Sequence, residues 1–197
     1  MIIKVDGNNI SDYKRGIASV HYSAYSKNHF TSCFSEEKLE KYYQYLVESS
    51  DLSFVLDLGD GVEGFVISGR SVGVGVQKFI QDESKYLWTV FLKHPYFLYE
   101  KVISKLKTKF SSPDTGGISV PFRLMSIAVN PNNQSKGVGA ELIEYLEASL
   151  PNSEGGLYGL SVRKSNKRAV EFYFRHGFKV QKETRDSQYL YKELNDE

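Results

Sequence analysis

With 197 residues, 41% of them hydrophobic and 14% aromatic, the chain can bury one substantial core and is short for two, so we expect a single domain over residues 1–197. Its 25 basic and 24 acidic residues are well mixed and leave a net charge of +1, which provides no field to attract nucleic acid or an anionic membrane. The apolar runs are shorter than the roughly 20 residues of a membrane span, the start of the chain lacks the apolar region of a signal peptide, and Cys33 is the only cysteine; we therefore expect a cytoplasmic protein without an intramolecular disulfide or a cysteine-based metal site.

The first elements are a short strand and two helices. Ile2–Val5 is expected to form a short strand and is closed by the turn signal Asp6-Gly7. Ser11 or Asp12 is then expected to cap a helix whose apolar side includes His21. A second helix is entered at Ser35, with side chains at i, i+3, i+4, i+7 and i+8 forming its apolar face: Leu39, Tyr42, Tyr43, Leu46 and Val47.

A hairpin follows the two helices. Ser53–Leu58 and Glu63–Ser68 are apolar runs joined by Gly59-Asp60-Gly61, and glycine permits the positive φ that such a turn requires. Glu63 stands beside this turn and is either a surface charge or a candidate general base.

An insertion at about residues 70–120 separates the hairpin from the next strand and is longer than a simple connection. Pro95 can occupy the first position of a helix, and apolar side chains continue from it at helical spacing: Phe97, Leu98, Val102, Leu106 and Phe110. Residues 111–117 have the composition of a loop. The insertion is able to serve as a lid, as a wall of an acceptor pocket or as a contact in a homodimer, and His94 is a second candidate base.

The most informative stretch is a strand that runs through a glycine loop into a helix. Leu124–Val129 is apolar apart from Ser126, and Pro131 ends the strand because proline has no N–H to donate. A helical pattern starts at Val138. Gly137 and Gly139 let a ligand approach the backbone closely, while the free N–H groups of the first helical turn attract phosphate oxygens.

Two common phosphate-binding motifs are absent from this loop. The P-loop pattern Gly-x-x-x-x-Gly-Lys-Ser/Thr does not occur. The third glycine of the dinucleotide fingerprint is missing, because Gly137-Val138-Gly139 is followed by Ala140, Glu141 and Leu142. The segment instead resembles the acetyl-coenzyme A motif of GNAT superfamily N-acetyltransferases, Val-x-Pro-x-x-Gln-x-x-Gly-x-Gly, at Val129, Pro131, Gln134, Gly137 and Gly139.

A second block strengthens the resemblance. The family pattern Asn-x-x-Ala-x-x-x-Tyr-x-x-x-Gly-Phe is present in register at Asn166, Ala169, Tyr173, Gly177 and Phe178. From the residues themselves, Asn166 caps a helix and Gly177 ends it. Further strands are predicted at Leu157–Val162, Lys179–Glu183 and Tyr189–Lys192.

The resemblance implies an α/β GNAT fold: a mixed, mostly antiparallel central sheet with helices on both faces, whose splayed central strands hold acetyl-CoA between them. It implies no metal. Tyr173 corresponds to the tyrosine that protonates the coenzyme A thiolate in many members, and a phenol is protonated at neutral pH. The residues expected to contact the cosubstrate are Ile127, Ala128, Val129, Gln134, Ser135, Lys136, Gly137, Val138, Gly139, Ala140, Asn166 and Tyr173.

The general base remains open between several groups. Ser161 lies where acetyltransferases of protein N-termini often carry a glutamate, so the proton leaves either through water ordered by Ser126 or Ser161, or through Glu63, His94 or His21. This difference favours a small-molecule amine as the acceptor, with an amino sugar or sugar nucleotide suggested by the many aromatic residues. The alternatives are an acetyltransferase of protein or peptide N-termini and a non-catalytic sensor that binds coenzyme A.

Overall fold

A computed structural model describes residues 1–25, 29–97, 120–134, 136–150 and 156–194. Its strands are β1 (Ile2–Lys4), β2 (Leu52–Asp57), β3 (Val62–Gly69), β4 (Phe122–Val129), β5 (Leu157–Arg163), β6 (Lys179–Glu183) and β7 (Ser187–Glu193). The helices we number are α1 (Ile10–Ala24), α2 (Glu36–Glu48), α3 (Val72–Asp82), α4 (Ser84–Lys93), α5 (Val138–Ala148) and α6 (Lys167–Arg175). None of the helices in these ranges is both long and apolar enough to cross a membrane.

The seven strands form one sheet in the order β1-β2-β3-β4-β5-β7-β6. Every neighbouring pair is antiparallel except β4 and β5, which are parallel. The expected mixed, mostly antiparallel sheet is thereby confirmed.

The two parallel strands separate soon after they meet. They are paired only at Phe122 with Tyr158 and at Arg123 with Gly159. On the other side of β4, Ser68 faces Leu124 and Ile67 faces Ser126, which leaves Met125 as an extra residue in a β-bulge. A bulge bends its strand and increases the local twist. This bend explains why β4 turns away from β5 and opens a gap in the middle of the sheet.

Apolar cores lie on both faces of the sheet, because alternate side chains of a strand point to opposite faces. Helices α1 to α4 cover one face, with Leu39, Leu46, Phe65 and Phe79 among the buried residues. Helices α5 and α6 cover the other, with Val66, Leu142, Leu160 and Leu190 buried there.

The start of α1 differs from the prediction. Neither Ser11 nor Asp12 caps the helix, which begins at Ile10 after Asn9. The Asp6 carbonyl accepts the Ile10 N–H at 3.0 Å, so the turn after β1 leads directly into the first helical turn. The entry to α2 was predicted correctly, since the Ser35 side chain accepts the Lys38 N–H at 3.4 Å.

The described part of the insertion contains two helices, α3 and α4, to which the sequence pattern assigned no element. Helix α3 packs very closely on α2, because a Cβ on Gly75 would lie 2.3 Å from the Tyr45 carbonyl oxygen. Residues 95–97 are helical, as expected from Pro95. The rest of the expected helix and the loop at 111–117 lie outside the described residues.

Candidate active site

The gap between β4 and β5 exposes backbone edges that have no partner strand within the described ranges. Beyond Arg123, β4 is paired only with β3 on its other side, and beyond Gly159, β5 is paired only with β7. Unpaired strand edges carry N–H and C=O groups ready to pair with an extended ligand. The expected contact residues Ile127, Ala128 and Val129 lie on this edge of β4.

The glycine loop brings a helix N-terminus to the end of β4. Gly137 has φ +86°, a left-handed conformation that glycine adopts at little cost, and α5 starts directly after it. The first i to i−4 hydrogen bond of the helix runs from Glu141 N–H to the Gly137 carbonyl, at 3.0 Å. The N–H groups of Val138, Gly139 and Ala140 therefore have no partner within the helix and are suited to bind an anion.

Gln134 connects the glycine loop to both sides of the gap. Its Nε2 donates to the Val129 carbonyl at 3.1 Å, and its Oε1 accepts from Arg168 Nη1 at 2.5 Å. The side chain thus links the end of β4 to α6. The Lys136 side chain forms a hydrogen bond within the same loop, with Nζ donating to Asn133 Oδ1 at 2.8 Å. Ser135 lies outside the described residues.

Helix α6 begins and ends as predicted. Asn166 Oδ1 accepts the Ala169 N–H at 3.2 Å, which caps the N-terminus. At the other end Gly177 has φ +82°, and the Phe178 N–H donates to the Tyr173 carbonyl at 3.1 Å. This is the Schellman arrangement. The rings of Tyr173 and Phe178 pack edge to face at 5.3 Å, which fixes the position of the tyrosine.

The hydroxyl of Tyr173 is suited to donate a proton. Burial raises the pKa of this phenol well above its ordinary value, and the neighbouring Tyr25 hydroxyl raises it further. Within the part of the chain that the structure describes, no protein group is hydrogen-bonded to the Tyr173 hydroxyl. It therefore keeps its proton at neutral pH and has no protein acceptor that competes for it.

Ser126 begins a chain of hydrogen bonds on the opposite face of the gap. Its Oγ lies 3.0 Å from the Tyr25 hydroxyl and 3.4 Å from the Tyr43 hydroxyl. Tyr43 in turn contacts His21 Nδ1 at 2.6 Å, and His21 Nε2 contacts Thr31 Oγ1 at 2.8 Å. The last link joins Thr31 Oγ1 to Nδ1 of His29 at 2.6 Å. We call these residues the polar chain.

The two histidines of the polar chain are held neutral. Burial lowers the pKa of His21 to about 3, with a smaller effect of His29. Burial also lowers the pKa of His29 to about 4, and the positive charge of Arg163 contributes. At neutral pH each imidazole thus has one N–H donor and one acceptor nitrogen, as a group that passes on a proton needs.

Among the described residues, the other candidate bases form no hydrogen bond with the polar chain. Glu63 Oε2 accepts from Asn133 Nδ2 at 2.6 Å, and the Glu63 carbonyl accepts the Asn130 N–H at 2.8 Å, so this residue holds the turn after β4. His94 is exposed at the end of α4, and Ser161 is exposed on β5.

Sequence reasoning missed most members of the polar chain. Tyr25 and His29 lie between the two predicted N-terminal helices and outside both motif blocks, and the helical spacing of Tyr43 predicts only that it faces the core. Its position beside a buried histidine on α1 depends on how α1 packs against α2, which periodicity does not give. Ser126 within an otherwise apolar strand is the signal that could have found the polar chain, because a buried hydroxyl requires a hydrogen-bond partner.

A surface depression lies apart from the expected contact residues of this site. A shallow depression of about 280 Å³ is lined by none of the expected contact residues. Within the described ranges, no three His, Cys, Asp or Glu side chains are grouped as a metal site would require.

Comparisons with known proteins agree with this geometry. Residues 115–190 match the model of the acetyltransferase (GNAT) domain family. No curated protein matches the sequence significantly.

Three solved structures illustrate the structural likeness. PH1933 from Pyrococcus horikoshii OT3 has a TM-score of 0.62 and 16% identity, over 99% of this chain and 98% of that chain. The ribosomal-protein-S18-alanine N-acetyltransferase from Escherichia coli has a TM-score of 0.54 and 17% identity, over 100% of this chain and 95% of that one. The PaiA N-acetyltransferase from Thermoplasma acidophilum, in complex with coenzyme A, has a TM-score of 0.53 and 13% identity, over 98% of both chains.

These likenesses show a shared fold, and the family match covers both sequence blocks that line the gap. The family uses acetyl-CoA, and the neighbouring proteins do not determine one class of acceptor. Residues 115–190 are therefore similar to the acetyltransferase (GNAT) domain family, and over its whole length the chain shares the fold of solved N-acetyltransferases.

Proposed function

We propose that this protein transfers an acetyl group from acetyl-CoA directly to the primary amine of a small molecule. The observation that carries the proposal is that hydroxyls lie on both faces of the sheet at the gap. Ser126 and Tyr25 are 3.0 Å apart on one face, and the buried Tyr173 on the other is near enough for Tyr25 to raise its pKa. Acetyl transfer to an amine requires a neutral amine on one side of the thioester and a proton for the departing thiolate on the other. The gap offers one group for each task.

The residues on the α5 and α6 side fit the acyl donor. The first-turn N–H groups of α5 suit the pyrophosphate, and the free edge of β4 at Ile127–Val129 suits an extended chain of amides. Acetyl-CoA supplies the activated acyl group. Tyr173 then donates its hydroxyl proton to the sulfur as the thioester bond breaks.

The polar chain provides a route for the proton of the incoming ammonium. Ser126 O–H can donate to the Tyr43 hydroxyl, and Tyr43 O–H to His21 Nδ1. His21 Nε2–H can in turn donate to Thr31, and Thr31 O–H to Nδ1 of His29. With this set of donors, a proton that the amine gives to Ser126 is matched by a proton arriving on the half-buried His29. The amine becomes neutral and nucleophilic, and its lost proton reaches solvent.

The sheet face near Ser126 supports a small acceptor. Tyr189 and Tyr191 lie on this face of β7, partly exposed, and an aromatic face is suited to stack on a sugar ring. Ser161 on β5 has no acidic function with which to deprotonate a peptide N-terminus directly. We therefore favour an amino sugar or sugar nucleotide over a protein or peptide N-terminus.

The test is release of coenzyme A thiol from acetyl-CoA with amino sugars, sugar nucleotides, polyamines, amino acids and peptide N-termini. We expect a response from small amines. A response from peptides alone would replace the proposal by N-terminal acetylation. A silent panel with acetyl-CoA still raising the melting temperature would favour the non-catalytic sensor.

A further inference from the structure

The side chain of Arg123 occupies an unusual position at the closed end of the gap. It belongs to the last residue pair that joins β4 to β5. Its neighbours Phe122 and Leu124 point into the core under α5 and α6, so Arg123 points to the opposite face. The guanidinium lies over β5, since a Cβ on Gly159 would be 2.9 Å from its Nη1.

The hydrogen bonding of this guanidinium is incomplete. Nη1 is buried without a partner, and Nη2 has only a long contact of 3.4 Å to Gln181 Oε1. No carboxylate in the described ranges forms an ion pair with it. A guanidinium nitrogen that is buried without a hydrogen-bond partner is costly for a folded protein. Burial accordingly lowers the pKa of Arg123, opposed only by the nearby Tyr189.

Arg123 and Ser126 lie on the same face of the same strand. They are three residues apart, which corresponds to about 10 Å along a strand, and the bulge at Met125 lies between them. An arginine side chain can shorten this separation. The two groups are thus able to contact opposite ends of one small molecule lying along β4.

A second cation makes this face more positive. Arg163, on β5, points to the same face as Gly159, and its charge lowers the pKa of His29. Arg123, over Gly159, and Arg163 therefore place positive charge at both ends of the 159–163 part of β5, which favours an anionic ligand.

We propose that Arg123 binds an anionic group, carboxylate or phosphate, on the acceptor, so that the substrate is a primary amine that also carries such a group several bonds from its nitrogen. This inference rests on the proposed function. Guanidinium forms paired hydrogen bonds with both anions. The bound anion would complete the hydrogen bonding of the buried Nη1 after a small rotation of the side chain.

The experiment compares matched acceptors that differ only in the anion. Glucosamine is paired with glucosamine 6-phosphate, and 5-aminopentanol with 5-aminopentanoate, so that phosphate and carboxylate are separated. For the wild type we expect kcat/KM at least about tenfold higher for the charged member of at least one pair. Arg123→Gln should remove this preference through KM, with kcat and the KM for acetyl-CoA unchanged, and Arg123→Lys should keep part of it.

The control is Arg175→Gln on the exposed end of α6, which removes the same charge from the opposite face of the sheet. An equal loss for neutral and charged acceptors in Arg123→Gln, or a wild type without preference, would overturn the inference while leaving acetyl transfer intact. If no amine is acetylated, the proposed function fails. Calorimetric binding of N-acetylglucosamine 6-phosphate against N-acetylglucosamine then still decides the role of Arg123, because equal binding refutes it.

Discussion

Replacing Tyr173 by phenylalanine tests whether its hydroxyl donates the proton that the departing thiolate receives. The ring is packed at 5.4 Å from Phe172 and 5.3 Å from Phe178, and phenylalanine preserves both contacts. The deleted hydroxyl has no hydrogen-bond partner within the described residues, so its removal should change the unfolding free energy by less than about 1 kcal/mol.

The effect on the reaction should be much larger. General acids contribute roughly 10²- to 10⁴-fold, and the buried position leaves little room for water to act instead. We expect Tyr173→Phe to lower kcat at least about tenfold, equivalent to about 1.4 kcal/mol, with little change in acetyl-CoA affinity. Because the pKa of Tyr173 is raised, the wild type should also show no loss of activity from this group between about pH 7 and 9.

The assay is steady-state release of coenzyme A thiol, with acetyl-CoA affinity measured by calorimetry. Tyr158→Phe is the matched control, because it removes an equally buried hydroxyl that instead contacts Glu147. That control should affect stability and leave kcat unchanged. An unaltered kcat in Tyr173→Phe, or equal losses in both variants, would refute the assignment of Tyr173 as the acid.

Three further changes test the loop, the helix packing and the buried histidine. Gly137→Ala forces a left-handed conformation on alanine and should lower the unfolding free energy by about 1–2 kcal/mol in urea titrations; an unchanged midpoint would contradict the strain. Gly75→Ala pushes a Cβ against the Tyr45 carbonyl and should cost about 1–3 kcal/mol, whereas Gly73→Ala, with open space around its Cβ, should be neutral or stabilising. The folded pKa of His21 lies below its unfolded value, so its neutral form stabilises the fold above about pH 6.5 and this contribution is lost toward pH 3. Between about pH 7 and 4.5 the loss amounts to roughly 2–3 kcal/mol, and His21→Asn should have a shallower dependence of unfolding free energy on pH; an identical slope would show that His21 does not carry it.

The strands and most helix ends could be predicted because they depend on neighbouring residues. Pro131 ends β4, Ser35 caps α2 and Gly177 ends α6 through local backbone chemistry that any chain follows. Helix α3 was missed because its first turns alternate valine with Gly73 and Gly75, a composition typical of strands and turns. Its helical state depends on contact with α2, which the sequence alone does not show.

The residues of the candidate site also differ in whether they could be predicted from neighbouring residues. The glycine loop and Tyr173 lie in contiguous motifs and were therefore found from the letters alone. Arg123 is distant in sequence from Tyr25 and His29, and the bulge at Met125 and the packing of α1 bring the three to one face. A single sequence gives no measure of such distant contacts.

The small number of pairs between β4 and β5 has a consequence for how the sheet holds together. Strands β4 and β5 connect the β1–β4 part of the sheet to the part formed by β5, β7 and β6, and two residue pairs join them. A pantetheine arm in the gap would add amide hydrogen bonds along that seam and so behave as a piece of the sheet. Amide hydrogen exchange along β5 should then slow when acetyl-CoA binds, and the two parts of the sheet should melt together more sharply with ligand than without it.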